Sequence, residues 1–320
     1  MNWYDITALI LAILAFVLLV VFAWVGFVMK SLFHTHATRR PGENPNGFDD
    51  IMGEDYDKAW EMGEIVGAEF IKNIPEKISV KTDDGLTLRG EFYKSLNPNV
   101  KQTLICIHGF RGSAIWDFAT LSMFFINNFN VIFIDHRGHN ESDGKEICFG
   151  QKSCYDVSLW IDKALELAPD CDVILHGVSM GGATVLMASD KINTERVKFI
   201  VSDCAFSDGG LEMKYMVKYS KYPTFPTTSF CKIWFKWLNK IKMDEQKPIE
   251  CVKNSKVPVL FVHGRADKFV PFYMGEKLYE ACGSEKDCLW VEGAGHGMSY
   301  FKNKDGYEKK YLEFVEKYCN

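Results

Sequence analysis

The sequence predicts an α/β fold with a mostly parallel central sheet flanked by helices, preceded by one apolar helix. Three observations carry this prediction. Apolar runs of strand length recur without alternation, helical stretches lie between them, and residues 6–29 carry no charge. A composition of 47% hydrophobic and 25% charged residues over 320 positions fits one large domain with a substantial core. The formal net charge is −5 and the basic residues are scattered, which excludes the electrostatic pull on a phosphate backbone that a nucleic-acid partner demands.

The opening segment reads as a membrane span. From Ile6 to Met29 there are 24 uncharged residues. As a helix at about 1.5 Å per residue they reach roughly 36 Å, enough to cross a hydrocarbon layer of about 30 Å with some tilt. A cleaved signal peptide is the alternative, but Met1 to Asp5 lacks Lys and Arg and the apolar run is too long. Lys30, Arg39 and Arg40 follow the span and no basic residue precedes it. The positive-inside rule therefore expects a single-pass membrane protein with its main domain in the cytoplasm, the extracellular side being the alternative.

Residues 31–75 form a linker, rich in Pro, Gly and Asn from Pro41, and a short amphipathic helix marked by Ala59, Met62, Val66 and Phe70. That helix is expected only to cover the core.

The main domain is expected over residues 76–320. Ile78 and Val80, the turn Asp83-Asp84-Gly85, then Leu86, Leu88 and Phe92 give an antiparallel hairpin. Thr103 to Ile107, Val131 to Ile134, Val173 to Leu175 and Val197 to Val201 are continuous apolar runs, as strands buried on both faces require, and Val259 to Val262 with Leu289 to Val291 add two more. The clearest helix between them starts at Ser153, where Ser-Cys-Tyr-Asp has the form of a capping box and Val157, Trp160, Ile161, Ala164 and Leu165 mark one face. Such alternation implies parallel strands joined by right-handed crossovers. Tyr307, Tyr311 and Phe314 mark a final helix. The insertion at about 204–256 is too long for an ordinary connection, dense in aromatics and broken by Pro223 and Pro226, and reads as a helical cap.

The ten cysteines contain no C-x-x-C pair and no zinc-like quartet, and read as free core thiols. Cys148 with Cys154, or Cys282 with Cys288, are the pairings open to them in an oxidising compartment. His136 with His139, and His34 with His36, have no carboxylate or cysteine at a ligand spacing, so neither a metal nor a cofactor is expected.

Chemistry concentrates at Gly177-Val178-Ser179-Met180-Gly181-Gly182, which follows a buried strand and opens a helix. That is the strand-turn-helix setting of a nucleophile elbow, where glycines permit the sharp turn and the helix N-terminus favours developing negative charge. A serine needs a histidine base at neutral pH, and the histidine needs a carboxylate to fix its tautomer. Of eight histidines only His263 and His296 follow Ser179, and His296 lies in the glycine-rich loop after the last strand, within reach of the elbow. Asp267 and Asp203, each in a loop after a strand, compete for the role of acid. Backbone N–H groups of Met180 and Phe110 are the expected oxyanion donors.

With these motifs the chain resembles the α/β-hydrolase superfamily of serine hydrolases, in particular its monoacylglycerol-lipase-like and lysophospholipase-like branch, over roughly Lys77 to Tyr318. His108-Gly109-Phe110-Arg111-Gly112 is similar to that family's oxyanion loop. Asp135 to Gly144 is similar to its D-x-R-G-x-G-x-S-x-G signature, with His139-Asn140 in place of a small residue and glycine, and Gly264 to Pro271 to its G-x-x-D-x-x-V-P acid segment. The resemblance favours Asp267 over Asp203 and implies a triad of Ser179, Asp267 and His296 beneath a cap. The cap aromatics Phe225, Phe230, Trp234 and Trp237 are then expected to line an acyl site. The expected activity is hydrolysis of carboxylic esters or thioesters with an apolar acyl part, on a small-molecule or lipid-like substrate. A serine peptidase or amidase, and an anchored scaffold without turnover, are the competing readings. Dehalogenase and epoxide-hydrolase chemistry uses an aspartate nucleophile, which Ser179 excludes.

Overall fold

The computed structural model describes residues 2–38 and 56–319. The linker expected from Pro41, together with Arg39 and Arg40, lies outside the described residues. The chain opens with helix α1 (Trp3–Phe33), whose N-terminus is closed by a capping box: Asn2 accepts from the Asp5 N–H and Asp5 accepts from the Asn2 N–H, each at 3.0 Å. Residues 3–20 of α1 are all exposed, and burial begins with Val25, Gly26, Met29 and Phe33. The exposed stretch measures roughly 27 Å at about 1.5 Å per residue, close to the thickness of a hydrocarbon layer. α1 is thus a helix long and apolar enough to cross a membrane.

Helix α2 (Tyr56–Phe70) leads into strands β1 (Glu76–Lys81), β2 (Thr87–Tyr93) and β3 (Gln102–Ile107). Short helices α3 (Ala114–Asp117) and α4 (Ser122–Asn128) precede β4 (Asn130–Ile134). Then α5 (Ser153–Leu167), β5 (Asp172–Val178), α6 (Met180–Ala188) and β6 (Val197–Asp203) alternate. The insertion folds as α7 (Gly209–Tyr219), α8 (Thr224–Asn239) and α9 (Pro248–Cys251). The chain closes with β7 (Val259–Gly264), α10 (Tyr273–Ala281), β8 (Lys286–Val291), α11 (Ser299–Lys302) and α12 (Lys304–Tyr318).

The described strands form one sheet in the order β1-β2-β4-β3-β5-β6-β7-β8, antiparallel at β1/β2 and β2/β4 and parallel from β4 to β8. The hairpin pairs Val80 with Leu88 and Ile78 with Gly90. Alternate side chains of each inner strand enter opposite layers. On β3, Ile105 and Ile107 pack with Trp160 of α5 and Leu186 of α6, while Leu104 and Cys106 pack with Phe70 of α2, Phe125 of α4 and Tyr311 of α12. This is the α/β-hydrolase architecture, with helices on both faces of the sheet.

Two local expectations change. The Ser153 motif is not a capping box: Lys152 is already helical, no side-chain cap forms, and the Asp156 carboxylate is taken by Arg137, which donates to it from Nε at 2.8 Å and Nη2 at 2.7 Å. Arg137 also donates to Asp84 at 2.9 Å, so it ties the signature loop to α5 and the hairpin turn. All ten cysteines are free thiols, eight of them buried, so neither candidate disulfide is formed.

Candidate active site

β5 ends at Val178 and α6 begins at Met180, so the reversal falls on Ser179, which is held at φ +54° and ψ −115°. A non-glycine residue in this region is strained, and packing around it leaves the turn no freedom. A Cβ on Gly177 would stand 2.1 Å from the Gly181 carbonyl oxygen, and one on Gly181 would stand 1.9 Å from that of Ile107. The Ser179 N–H donates to the Asp203 carbonyl at 2.8 Å and its carbonyl accepts from Ala183 at 2.9 Å.

His296 Nε2 lies 2.9 Å from Ser179 Oγ, and His296 Nδ1 lies 2.8 Å from Asp267 Oδ2. Burial raises the Asp267 carboxyl, but His296 and the hydrogen bond from His263 outweigh it and hold the group down at about 2. Asp267 is therefore an ionised acceptor, so Nδ1 of His296 carries the proton and Nε2 is free to accept from Ser179. The second Asp267 oxygen accepts from the N–H groups of Phe269 and Val270, each at 2.9 Å. His263 adds an imidazole that sequence reasoning left idle: its Nε2 lies 2.9 Å from the Val270 carbonyl and 3.3 Å from Asp267. Burial lowers the His263 pKa, yet the contact with Asp267 leaves it raised.

Asp203, the competing acid, turns away and accepts from the Tyr307 hydroxyl at 3.0 Å. Cys204 Sγ, Asp267 and His296 lie close enough to hold a metal ion, but burial raises the Cys204 thiol well above its ordinary range and the other two groups are bonded to each other. This donor set does not suit a metal.

Phe110 borders both cavities beside Ser179, and Met180 borders the smaller. The loop carrying Phe110 is fixed by groups the sequence did not flag. Asp117 accepts from the Gly109 N–H at 2.7 Å, and Arg111 donates from its N–H to His139 Nε2 at 3.2 Å and from Nη1 to the Ser31 carbonyl of α1 at 3.1 Å. His136 and His139 are structural, bonded to the His108 and Arg137 carbonyls. Asn140 stands at φ +45°, a backbone state in which asparagine replaces glycine at modest cost.

Two cavities meet at Ser179. The larger, about 140 Å³, is bordered by His296, Trp60, Gly63, Trp116, Met298 and Phe301. The smaller, about 10 Å³, is bordered by Phe149, Phe206, Glu212 and Met216, and Phe110 and Phe269 stand between the two. α2 is therefore more than a core cover: Trp60 stacks on Trp116 with ring centroids 5.9 Å apart, forming a wall of the larger cavity.

The four cap aromatics are not brought to either cavity. Phe230, Trp234 and Trp237 pack on Phe22 of α1 with centroids 5.1, 5.2 and 5.9 Å away, and Trp234 Nε1 donates to the Phe22 carbonyl at 2.9 Å. Phe225 is 80% exposed. Their aromatic density serves the contact with the apolar helix, a demand that a cap-and-acyl-site reading of the sequence does not include.

A family model described as Peptidase_S9, the prolyl oligopeptidase family, matches residues 116–320. The chain belongs to the prolyl oligopeptidase family. Relatives of this prolyl oligopeptidase member include YqkD of Bacillus subtilis, 26% identical over 67% of the chain and 71% of its own length. The human alpha/beta hydrolase domain-containing protein 17B is 27% identical over 70% of each chain. Among solved structures, a Pyrococcus furiosus esterase has a TM-score of 0.65 at 18% identity, over 79% of this chain and 94% of its own. A Pyrococcus horikoshii acylaminoacyl peptidase has a TM-score of 0.56 at 18% identity, over 78% of this chain and 43% of its own, greater length. Both likenesses establish the fold. As a member of the prolyl oligopeptidase family with this fold, the chain is an α/β hydrolase.

Proposed function

We propose that the chain is a membrane-anchored serine hydrolase that cleaves carboxylic esters or thioesters through Ser179, His296 and Asp267. The observation that carries this reading is the unbroken line of contacts from Ser179 Oγ through His296 to Asp267. Ser179 Oγ attacks the carbonyl carbon while His296 Nε2 takes its proton, and Asp267 stabilises the imidazolium. The N–H groups of Phe110 and Met180 receive the oxyanion. His296 then gives its proton to the leaving group, and water releases the acyl group by the same steps. His296 borders the larger cavity, which supports a leaving group on that side. Trp60, Trp116 and Phe301 on the walls of the larger cavity support an apolar substrate body.

Amide or peptide cleavage by the same triad is the second reading, and membership of the prolyl oligopeptidase family favours it. α1 supports a single-pass anchor, and Lys30 at its C-terminal end supports a cytoplasmic domain. Protease added to intact cells then leaves the domain whole, and digestion without lysis reverses the orientation.

The decisive test uses the full chain in detergent micelles. It reacts with a fluorophosphonate probe, Ser179→Ala does not, and a panel of esters, thioesters and aminoacyl amides ranks the leaving groups. A wild type that fails to label is a scaffold without turnover.

A further inference from the structure

α1 passes α8 from the buried side of that helix to its exposed side. Phe33 packs on the buried Phe235 with ring centroids 5.5 Å apart, and nearer the N-terminus Phe22 packs on the half-exposed Trp237 at 5.9 Å. The exposed residues 3–20 of α1 therefore leave the domain on the outer side of α8. At helical spacing that side carries Ile233, Lys236, Trp237 and Lys240, all exposed. In the turn between α7 and α8, Tyr222 lies against Trp24 of α1 with centroids 5.1 Å apart, and the exposed Lys221 and Phe225 stand on either side of it in sequence.

The charge of this face departs from that of the chain. The whole sequence has a formal net charge of −5, whereas residues 209–240 hold six lysines and a single carboxylate, Glu212, which is buried. All six lysines are exposed. Trp and Tyr rings settle at the level of lipid headgroups, and lysine stems lie along apolar surface while their ammoniums reach outward. A basic, aromatic face around the exit of an apolar helix therefore fits headgroups better than open water.

We infer that the outer face of α7 and α8 rests on the bilayer that α1 enters and recognises anionic phospholipid headgroups there. The inference rests on the reading of α1 as an anchor. An acidic protein would also match the lysines, but the exposed Phe225, Ile233 and Trp237 and the place of the face at the exit of α1 favour lipid. Each lysine at an anionic surface is worth about fivefold in the equilibrium between docked and undocked cap. Salt screens that attraction.

Hydrogen exchange of the full chain tests it, in vesicles of phosphatidylcholine alone and of phosphatidylcholine mixed with phosphatidylglycerol. The expected result is that phosphatidylglycerol slows exchange of the amides of residues 220–240 by about fivefold or more, and that high salt removes the effect. Combining Lys221→Gln, Lys236→Gln and Lys240→Gln lowers docking by about 10², the product of three lysines, and abolishes the difference between the vesicles. Equal exchange of the wild type in both vesicles overturns the inference. Soluble polyglutamate added to the neutral vesicles represents the acidic partner, and protection by polyglutamate with none from phosphatidylglycerol overturns the inference in favour of a protein. Flotation with the neutral vesicles, resistant to alkaline carbonate, reports on α1 alone. A chain that does not float there has no anchor, and flotation on the anionic vesicles that depends on the three lysines then still judges the face.

Discussion

Tyr307 donates a hydrogen bond from its hydroxyl to Asp203 at 3.0 Å, and this bond sets apart two aspartates of neighbouring strands, Asp203 as the last residue of β6 and Asp267 in the loop after β7. Asp203 is committed to α12, whereas Asp267 meets His296 Nδ1 at 2.8 Å. Asp267→Asn is expected to lower kcat/KM by roughly 10³ to 10⁴, because the amide no longer fixes the imidazole tautomer. Asp203→Asn keeps most of the activity. Steady-state kinetics on one ester substrate checks the ranking, and the opposite order moves the acid to Asp203.

Asp203 also shapes the response to pH. Burial lifts its carboxyl to about 6, with the Tyr307 hydrogen bond opposing the shift. The folded state thus holds the proton more tightly than the unfolded chain, where aspartate titrates near about 3.9. This stabilisation is fully present below the unfolded value and is lost as pH rises to about 6. Asp203→Asn removes the titration, so its thermal midpoint should exceed that of the wild type at pH 8 and converge on it below pH 4. A midpoint difference that stays constant across this range contradicts the assignment.

The strained backbone at Ser179 makes stability and turnover oppose each other. Ser179→Gly accepts φ +54° without a Cβ and is expected to gain about 1 kcal/mol, while losing on the order of 10⁶ in rate with the nucleophile. Ser179→Ala loses the same rate and keeps the strain. Denaturant unfolding of the pair in micelles measures the difference, and equal stabilities argue against strain at the elbow.

Arg137 and Asp156 form a two-pronged ion pair with side chains 8% and 7% exposed. Removing Asp156 leaves the buried guanidinium with only the half-exposed Asp84 as partner, so Asp156→Ala is expected to cost about 3 kcal/mol. Asp84 holds the same guanidinium from a half-exposed position, and Asp84→Ala should cost under about 1 kcal/mol. Comparable losses from the two variants would show that the buried partner has no special weight.

The legible part of this molecule is the part governed by local rules. Inner strands such as Val131 to Ile134 announced themselves because both faces are buried, and the elbow because glycines 177 and 181 have no room for a Cβ. Chain order and loop context single out His296 but leave Asp267 level with Asp203, and only the family resemblance prefers Asp267. What escaped depends on contacts between distant segments. Asp117 reaches the Gly109 N–H and Trp60 reaches Trp116 only once α2 and α3 are folded against the sheet. Trp234 was read as an acyl contact because a sequence does not say whether an aromatic faces a ligand or another helix, and Phe22 is 212 residues away. Ser153 misled because a cap depends on the backbone before it, and Lys152 is helical.

The contact between α1 and the rest of the chain has a practical meaning for anyone who would clip the helix away to obtain a soluble enzyme. Cleavage after residue 38 would bare the faces of Phe230, Trp234 and Trp237 to water, and would take from Trp234 and Arg111 the carbonyls of Phe22 and Ser31 that they now hold. The shortened protein would carry a sticky aromatic flank and a loop around Arg111 that has lost a tether. In this chain the helix long and apolar enough to cross a membrane is also part of the scaffold, so solubilisation by truncation and loss of function would arrive together.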